Sequence, residues 1–136
     1  MSDAAPRVVH RLVLEVRWRD LDAFGHANNA SYHGYVEEAR VRWFRALSTD
    51  WANETSAPIL AAATMNFRRP VGWPASVVVE LFAERLGGKS VTLAHRITDA
   101  TDPGIVYADG THVLVWVDRD GTTLPLPDAV REACAG

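Results

Sequence analysis

The chain has 136 residues, a formal net charge of −3 and one cysteine, Cys134. That length suits one domain, residues 1–136, burying roughly two thirds of its unfolded surface. The charge gives no general electrostatic basis for binding nucleic acid or an anionic membrane, and a single thiol excludes intrachain disulfides and cysteine-rich metal sites. Met1 to Arg11 lacks the apolar core of a signal peptide, and no uninterrupted apolar stretch approaches the ~18 residues of a membrane span, so a cytoplasmic protein without membrane insertion is expected.

Leu12, Leu14 and Val16 alternate with Val13, Glu15 and Arg17, the period-two pattern of a half-buried strand, which predicts a strand over about Val8 to Arg17. A polar turn follows. Tyr32, Tyr35, Val36, Ala39, Trp43 and Leu47 then recur at three- and four-residue steps, predicting a helix that stops between Leu47 and Thr49. Asn28 or Asn29 supplies its cap, and Glu38 and Arg42 pair on the opposite face. Thr49 to Pro58 reads as a loop.

Ile59 to Phe67, Ser76 to Leu86, Ser90 to Asp99 and Ile105 to Asp118 are rich in valine, leucine and aromatics and read as four strands. Arg69-Pro70-Val71-Gly72-Trp73-Pro74, Gly87-Gly88 and Asp102-Pro103-Gly104 separate them, the glycine pair as a short hairpin. Pro125 and Pro127 end the pattern and leave a short tail. One strand, one long helix and four strands joined by short connections make an α+β chain with antiparallel pairing.

Asp20 to Tyr32 joins the polar turn directly to the helix. A first helical turn leaves backbone amides unpaired, and the aligned peptide dipoles favour negative charge there, so a carboxylate beside it can work on a carbonyl group. Asp22 is the main candidate, although an aspartate in such a place also bonds turn amides. Asp20 reads as a structural turn or first-strand residue and is the fallback for the same role. His26 is placed to handle a proton near neutral pH or to bond its own backbone. Gly25 relieves crowding in the turn, and Tyr32 packs on the helical stripe. There is no Gly-x-Ser-x-Gly elbow, His-Glu-x-x-His zinc motif or Gly-x-Gly-x-x-Gly fingerprint, so no cofactor or metal is implied; His95 and His112 read as hydrogen-bonded structural histidines within strands.

Arg19-Asp20-Leu21-Asp22, Gly25-His26-Ala27-Asn28-Asn29, Tyr32 and Glu37-Glu38-Ala39-Arg40, followed by Asn66-Phe67-Arg68-Arg69-Pro70 and Gly88-Lys89-Ser90, resemble the signature of the hotdog-fold thioesterases in the 4-hydroxybenzoyl-CoA thioesterase branch. The resemblance implies a curved antiparallel sheet wrapped around one long helix. It implies that Asp22 is the catalytic carboxylate, acting as nucleophile or as base toward water, and that the Asn29 amide polarises the thioester carbonyl, a role worth about 3 kcal/mol for a fixed donor.

Plant acyl-ACP thioesterases share the Asp-Leu-Asp and His-x-Asn-Asn elements but carry an asparagine where this chain has Phe24. That residue borders the acyl group on this reading, with Asn28 and Tyr32 also at the substrate. Arg68 and Arg69 are placed to bind coenzyme A phosphates, and Lys89 and Ser90 to touch the nucleotide tail. The function implied is acyl-CoA hydrolysis by a homodimer or homotetramer with sites at the subunit interface. A non-catalytic acyl-CoA or lipid-binding module and an acyl-ACP thioesterase remain the alternatives.

Overall fold

A computed structural model describes residues 7–48 and 51–135. Along the chain run β1 (Val8–Glu15), a 3₁₀ turn (Trp18–Asp20), α1 (Asn29–Leu47), β2 (Ala57–Ala63), β3 (Asn66–Phe67), β4 (Ser76–Leu86), β5 (Ser90–Asp99), β6 (Val106–Val117) and α2 (Asp128–Ala135). All pairings are antiparallel, in the order β1-β4-β5-β6-β2, with β3 also on β6. The sheet is open, with β1 and β2 at opposite ends of this order. Because α1 lies between those two strands in the chain, it has to cross the sheet.

The predicted stripe is the face that α1 buries: Tyr32, Tyr35, Val36, Ala39 and Trp43 are all in the core, joined by Phe44, while Leu47 is partly buried. Opposite them stand Val77, Val79 and Leu81 of β4, Val91, Leu93 and Ile97 of β5, and Leu114 and Trp116 of β6. Alternate residues along each strand share a face, which is why odd positions in β4 and β5 carry this packing. Asn28 caps α1 by accepting from the Ser31 amide at 2.9 Å, and Glu38 accepts from Arg42 Nε at 2.6 Å. Across the outer face, Glu80 is buried between Arg11 of β1 and Arg96 of β5, which approach its two carboxylate oxygens to 2.5 and 2.7 Å.

Four expectations need correction. The first strand stops at Glu15, because Val16 turns into the core and the 3₁₀ turn begins two residues later. The strand expected over Ile59 to Phe67 is two strands: the Thr64 amide bonds the Thr111 carbonyl at 2.7 Å while the Thr64 carbonyl arches over Gly110. A Cβ at position 110 would lie 2.1 Å from that oxygen, so the arch needs glycine beneath it. The expected tail contains α2, an eight-residue helix that is marginal in isolation. Docking holds it: Val130 is buried, and Arg131 donates to the carbonyls of Gly87 and Gly88 at 3.1 and 3.0 Å. Of the expected loop from Thr49 to Pro58, Thr49 and Asp50 lie outside the described residues, and Ala57 and Pro58 already belong to β2.

His95 and His112 share the inward positions of β5 and β6 and meet Nδ1 to Nδ1 at 2.9 Å. Burial pushes their pKa values down to about 4 and about 3, so near neutral pH one Nδ1 carries the hydrogen and the other accepts it. His112 Nε2 is buried without a partner among the described residues, while the His95 ring lies beside the Thr64 carbonyl. In the unfolded chain both rings protonate near 6.5, whereas in the folded protein they remain neutral, so stability falls as pH drops below that value. His10, also lowered by burial, adds in the same direction. Urea denaturation should show the midpoint falling between pH 6.5 and 5, above the main carboxylate range, and a His95→Gln/His112→Gln protein should show a shallower decline. An equal slope in the variant would remove the pair from this account.

Candidate active site

The turn between β1 and α1 is held by its own backbone. The Asp22 amide bonds the His26 carbonyl at 2.8 Å, the Ala27 amide bonds the Val71 carbonyl at 2.8 Å, and Gly25 adopts φ +80, a left-handed conformation that favours glycine. Asp22 Oδ1 accepts from the amides of Phe24 and His26 at 2.9 and 3.3 Å. One oxygen performs the turn role, and among the described residues Oδ2 accepts no hydrogen bond.

Asp22, His26, Asn29, Tyr32, Phe67, Arg68 and Arg69 come together around a cleft of about 260 Å³ at the entry of α1. Asn29 is the first residue of the helix, so its amide belongs to the unpaired first turn and finds no acceptor among the described residues. The His26 side chain is exposed, and it is the backbone of His26, not its imidazole, that bonds Asp22. Tyr32 is buried and its hydroxyl donates to the Arg69 carbonyl at 3.1 Å, tying the helix to the loop that carries the arginines.

The two arginines differ. Arg68 is engaged by Asp109 through Nε at 3.2 Å and Nη2 at 3.0 Å, whereas the Arg69 side chain has no charged partner among the described residues. That pairing across strands was invisible to spacing.

Other sequence candidates stand elsewhere. Phe24 projects from the tip of the turn, 86% exposed, and does not line the cleft. Asn28 is occupied by capping and lines a separate groove on the other flank of α1. Lys89 and Ser90 sit at the β4–β5 hairpin, the end of β4 remote from the turn, with the 11 residues of β4 in between. At ~3.3 Å per residue that is about 35 Å, so within one subunit they do not reach the cleft.

Asp20 is buried and makes a different set of bonds. Its carboxylate accepts from the Arg17 amide at 2.9 Å, Arg17 Nη2 at 3.2 Å and the Tyr35 hydroxyl at 2.8 Å, while its carbonyl accepts from the Asn28 amide and Ser31 Oγ. Burial alone would raise its pKa; the bonds from Arg17 and Tyr35 outweigh that and leave it lowered. Among the described residues, no group of three or more His, Cys, Asp or Glu side chains could hold a metal ion, and no helix is long and apolar enough to cross a membrane.

A long helix crossing an antiparallel sheet, with a carboxylate and a free first-turn amide at its entry, defines a hotdog-fold protein of the thioester-hydrolase class. The chain belongs to the thioesterase-like superfamily, whose model matches residues 16–134. It is 31% identical over 124 residues to the long-chain acyl-CoA thioesterase FadM of Escherichia coli, covering 88% of this chain and 92% of that one. The PA2801 protein of Pseudomonas aeruginosa superposes with a TM-score of 0.89 at 41% identity, over 93% of this chain and 98% of that one. A Thermus thermophilus thioesterase complexed with coenzyme A and zinc gives 0.79 at 36% identity, over 93% and 92%.

Asp20→Asn should destabilise the protein. An amide cannot accept at both positions and turns a donor toward Arg17 or Tyr35, a loss of about 2–4 kcal/mol for charged, buried hydrogen bonds. Because the carboxyl pKa is depressed by folding, the wild-type advantage should be complete above the ordinary aspartate range and vanish as pH falls through the lowered value. Denaturation of the two proteins at pH 7 and in acid measures both. Equal stability at pH 7 would contradict the role given to Asp20.

Proposed function

We propose that this chain hydrolyses acyl-CoA thioesters in the cleft at the entry of α1, with Asp22 as the reacting carboxylate. The observation that carries this is the pairing of a tethered carboxylate with a first-turn amide in one cleft: Oδ1 is fixed by two amides, and among the described residues Oδ2 accepts no hydrogen bond and the Asn29 amide has no acceptor. A thioester carbonyl seated between them has its oxygen on the amide, which stabilises the charge that develops there during attack. The carbon–sulfur bond then breaks and the thiolate leaves, taking its proton on this reading from His26, which lines the cleft.

Asp22 can open the reaction in either of two ways. Direct attack forms an acyl–aspartyl anhydride that water cleaves, whereas base catalysis draws a proton from a water that attacks. A single turnover in ¹⁸O-labelled water tests for the anhydride: label in the Asp22 carboxylate follows only from anhydride cleavage at the aspartyl carbonyl, whereas label confined to the product acid follows from the direct route or from cleavage at the acyl carbonyl.

Coenzyme A as the carrier is supported by the free guanidinium of Arg69 beside the cleft, by the acyl-CoA specificity named for the Escherichia coli relative and by the coenzyme A held in the Thermus thermophilus structure. Assembly as a homodimer along the β2 edge is supported by that edge strand itself, which presents unpaired backbone groups and, with β3, the half-exposed side chains of Ile59, Leu60 and Phe67. Sedimentation should find a dimer or tetramer, and a stable monomer with full activity would overturn this assembly.

Asp22→Asn keeps size and some hydrogen bonding while removing the reacting anion. Turnover should fall by about 10² or more with folding and acyl-CoA binding retained. Arg69→Ala should show the reverse pattern, weakening an acyl-CoA more than an acyl-pantetheine that lacks the nucleotide. Near-normal hydrolysis by folded Asp22→Asn protein would refute the assignment, and equal losses on both substrates would remove Arg69 from phosphate recognition.

A further inference from the structure

The cleft leaves a second cavity unused. On the flank of α1 that faces the β2 edge lies a half-open recess of about 280 Å³, lined by side chains that include His33, Glu37, Arg40, Leu60, His95 and His112. Asn29, His33 and Arg40 stand at i, i+4 and i+11, so a single helix face leads from the cleft into this chamber. Phe67, in the cleft wall, lies edge-on to His33 with ring centroids 6.5 Å apart, and marks the boundary between the two spaces.

The chamber is polar in an unusual way. Arg40 is only 8% exposed, yet its one charged neighbour among the described residues is Glu37 at 3.6 Å, and its guanidinium makes no hydrogen bond there. The Glu37 side chain is 67% exposed, so water screens much of that attraction. A buried cation compensated so weakly is costly, and a bound anion offsets the cost. Beside it stands the orphaned Nε2 of His112, with the His95 ring between it and the Thr64 carbonyl. Since one neutral ring donates from Nδ1 and the other accepts there, one Nε2 carries a hydrogen and the other a lone pair. Arg40 offers a planar fork of donors, while Val36, Leu60, Ala63 and Met65 supply apolar wall.

We propose that this chamber receives the far end of the acyl group and selects chains that end in a carboxylate, the mono-thioesters of medium-length dicarboxylic acids. The proposal rests on the thioesterase reading of the cleft and adds its substrate class. The eleven-residue separation of Asn29 and Arg40 spans about 16 Å along the helix axis, and side chains lean back toward the helix N-terminus. The length that remains, under ~16 Å, suits a medium-length chain.

The test compares suberoyl-CoA with octanoyl-CoA, which have equal carbon count and differ in the terminal carboxylate. Both kcat/KM and calorimetric binding to Asp22→Asn protein are measured. Suberoyl-CoA should be favoured by about tenfold or more, as expected when a buried polar group is left unpaired by the wrong ligand. Arg40→Gln should bring that ratio close to one, and Arg40→Lys, which keeps the charge without the fork, should restore part of it. Hydrolysis of both substrates with no preference, or with preference for octanoyl-CoA, would overturn the chamber and leave the thioesterase reading intact. Preferential binding of suberoyl-CoA without hydrolysis of either would do the opposite. If Arg40→Gln fails to fold, the wild-type ratio and the lysine variant still decide.

Discussion

The bonds converging on Asp20 are the constraint on which the site depends. Its carboxylate gathers the head of the 3₁₀ turn through Arg17 and the interior of α1 through Tyr35, while its carbonyl takes the amide of the helix cap and a hydroxyl from the first turn. Four pieces of chain are thereby referred to one residue. Asp22, two positions later, inherits a fixed origin, and its own two amide bonds set the direction of the remaining oxygen. A carboxylate on an exposed turn would otherwise have to be ordered anew with every ligand it met, at an entropic cost.

The twin aspartates therefore divide the work by environment. Asp20, buried and surrounded by donors, is held in its charged form as an acceptor. Asp22 is exposed, where a substrate can meet it. The same dipeptide spacing that makes them look interchangeable in the sequence places one inside the fold and the other on the rim.

What could be read from residues alone follows the range of the interactions concerned. The α1 stripe, the Asn28 cap and the Glu38–Arg42 pair repeat within a single turn or two of helix, so their spacing exposes them. That Asp22 and Asn29 share one cleft was legible because the turn and helix entry are contiguous. By contrast, Thr64 arching over Gly110, α2 clasping the β4–β5 hairpin and Arg68 gripping Asp109 each join segments remote in sequence. Nothing in local pattern reports such meetings. Arg40, His95 and His112 come from three different elements, and each alone reads as an ordinary surface or structural residue; only the sheet order brings them around one cavity.

The Arg11–Glu80–Arg96 cluster on the outer face carries a consequence for how faithfully the sheet assembles. It links three adjacent strands, β1, β4 and β5, at a single level, since Glu80 is directly opposite Arg11 on one side and Arg96 on the other. Strand side chains alternate with period two, so a one-residue slip of β1 would swing Arg11 beneath α1 and strip Glu80 of a partner it needs while buried. Apolar residues on both faces of β4 would tolerate such a slip comparatively well. The cluster thus works as a register mark, distinguishing the correct pairing from its nearest neighbours at a place where valines alone would leave them similar.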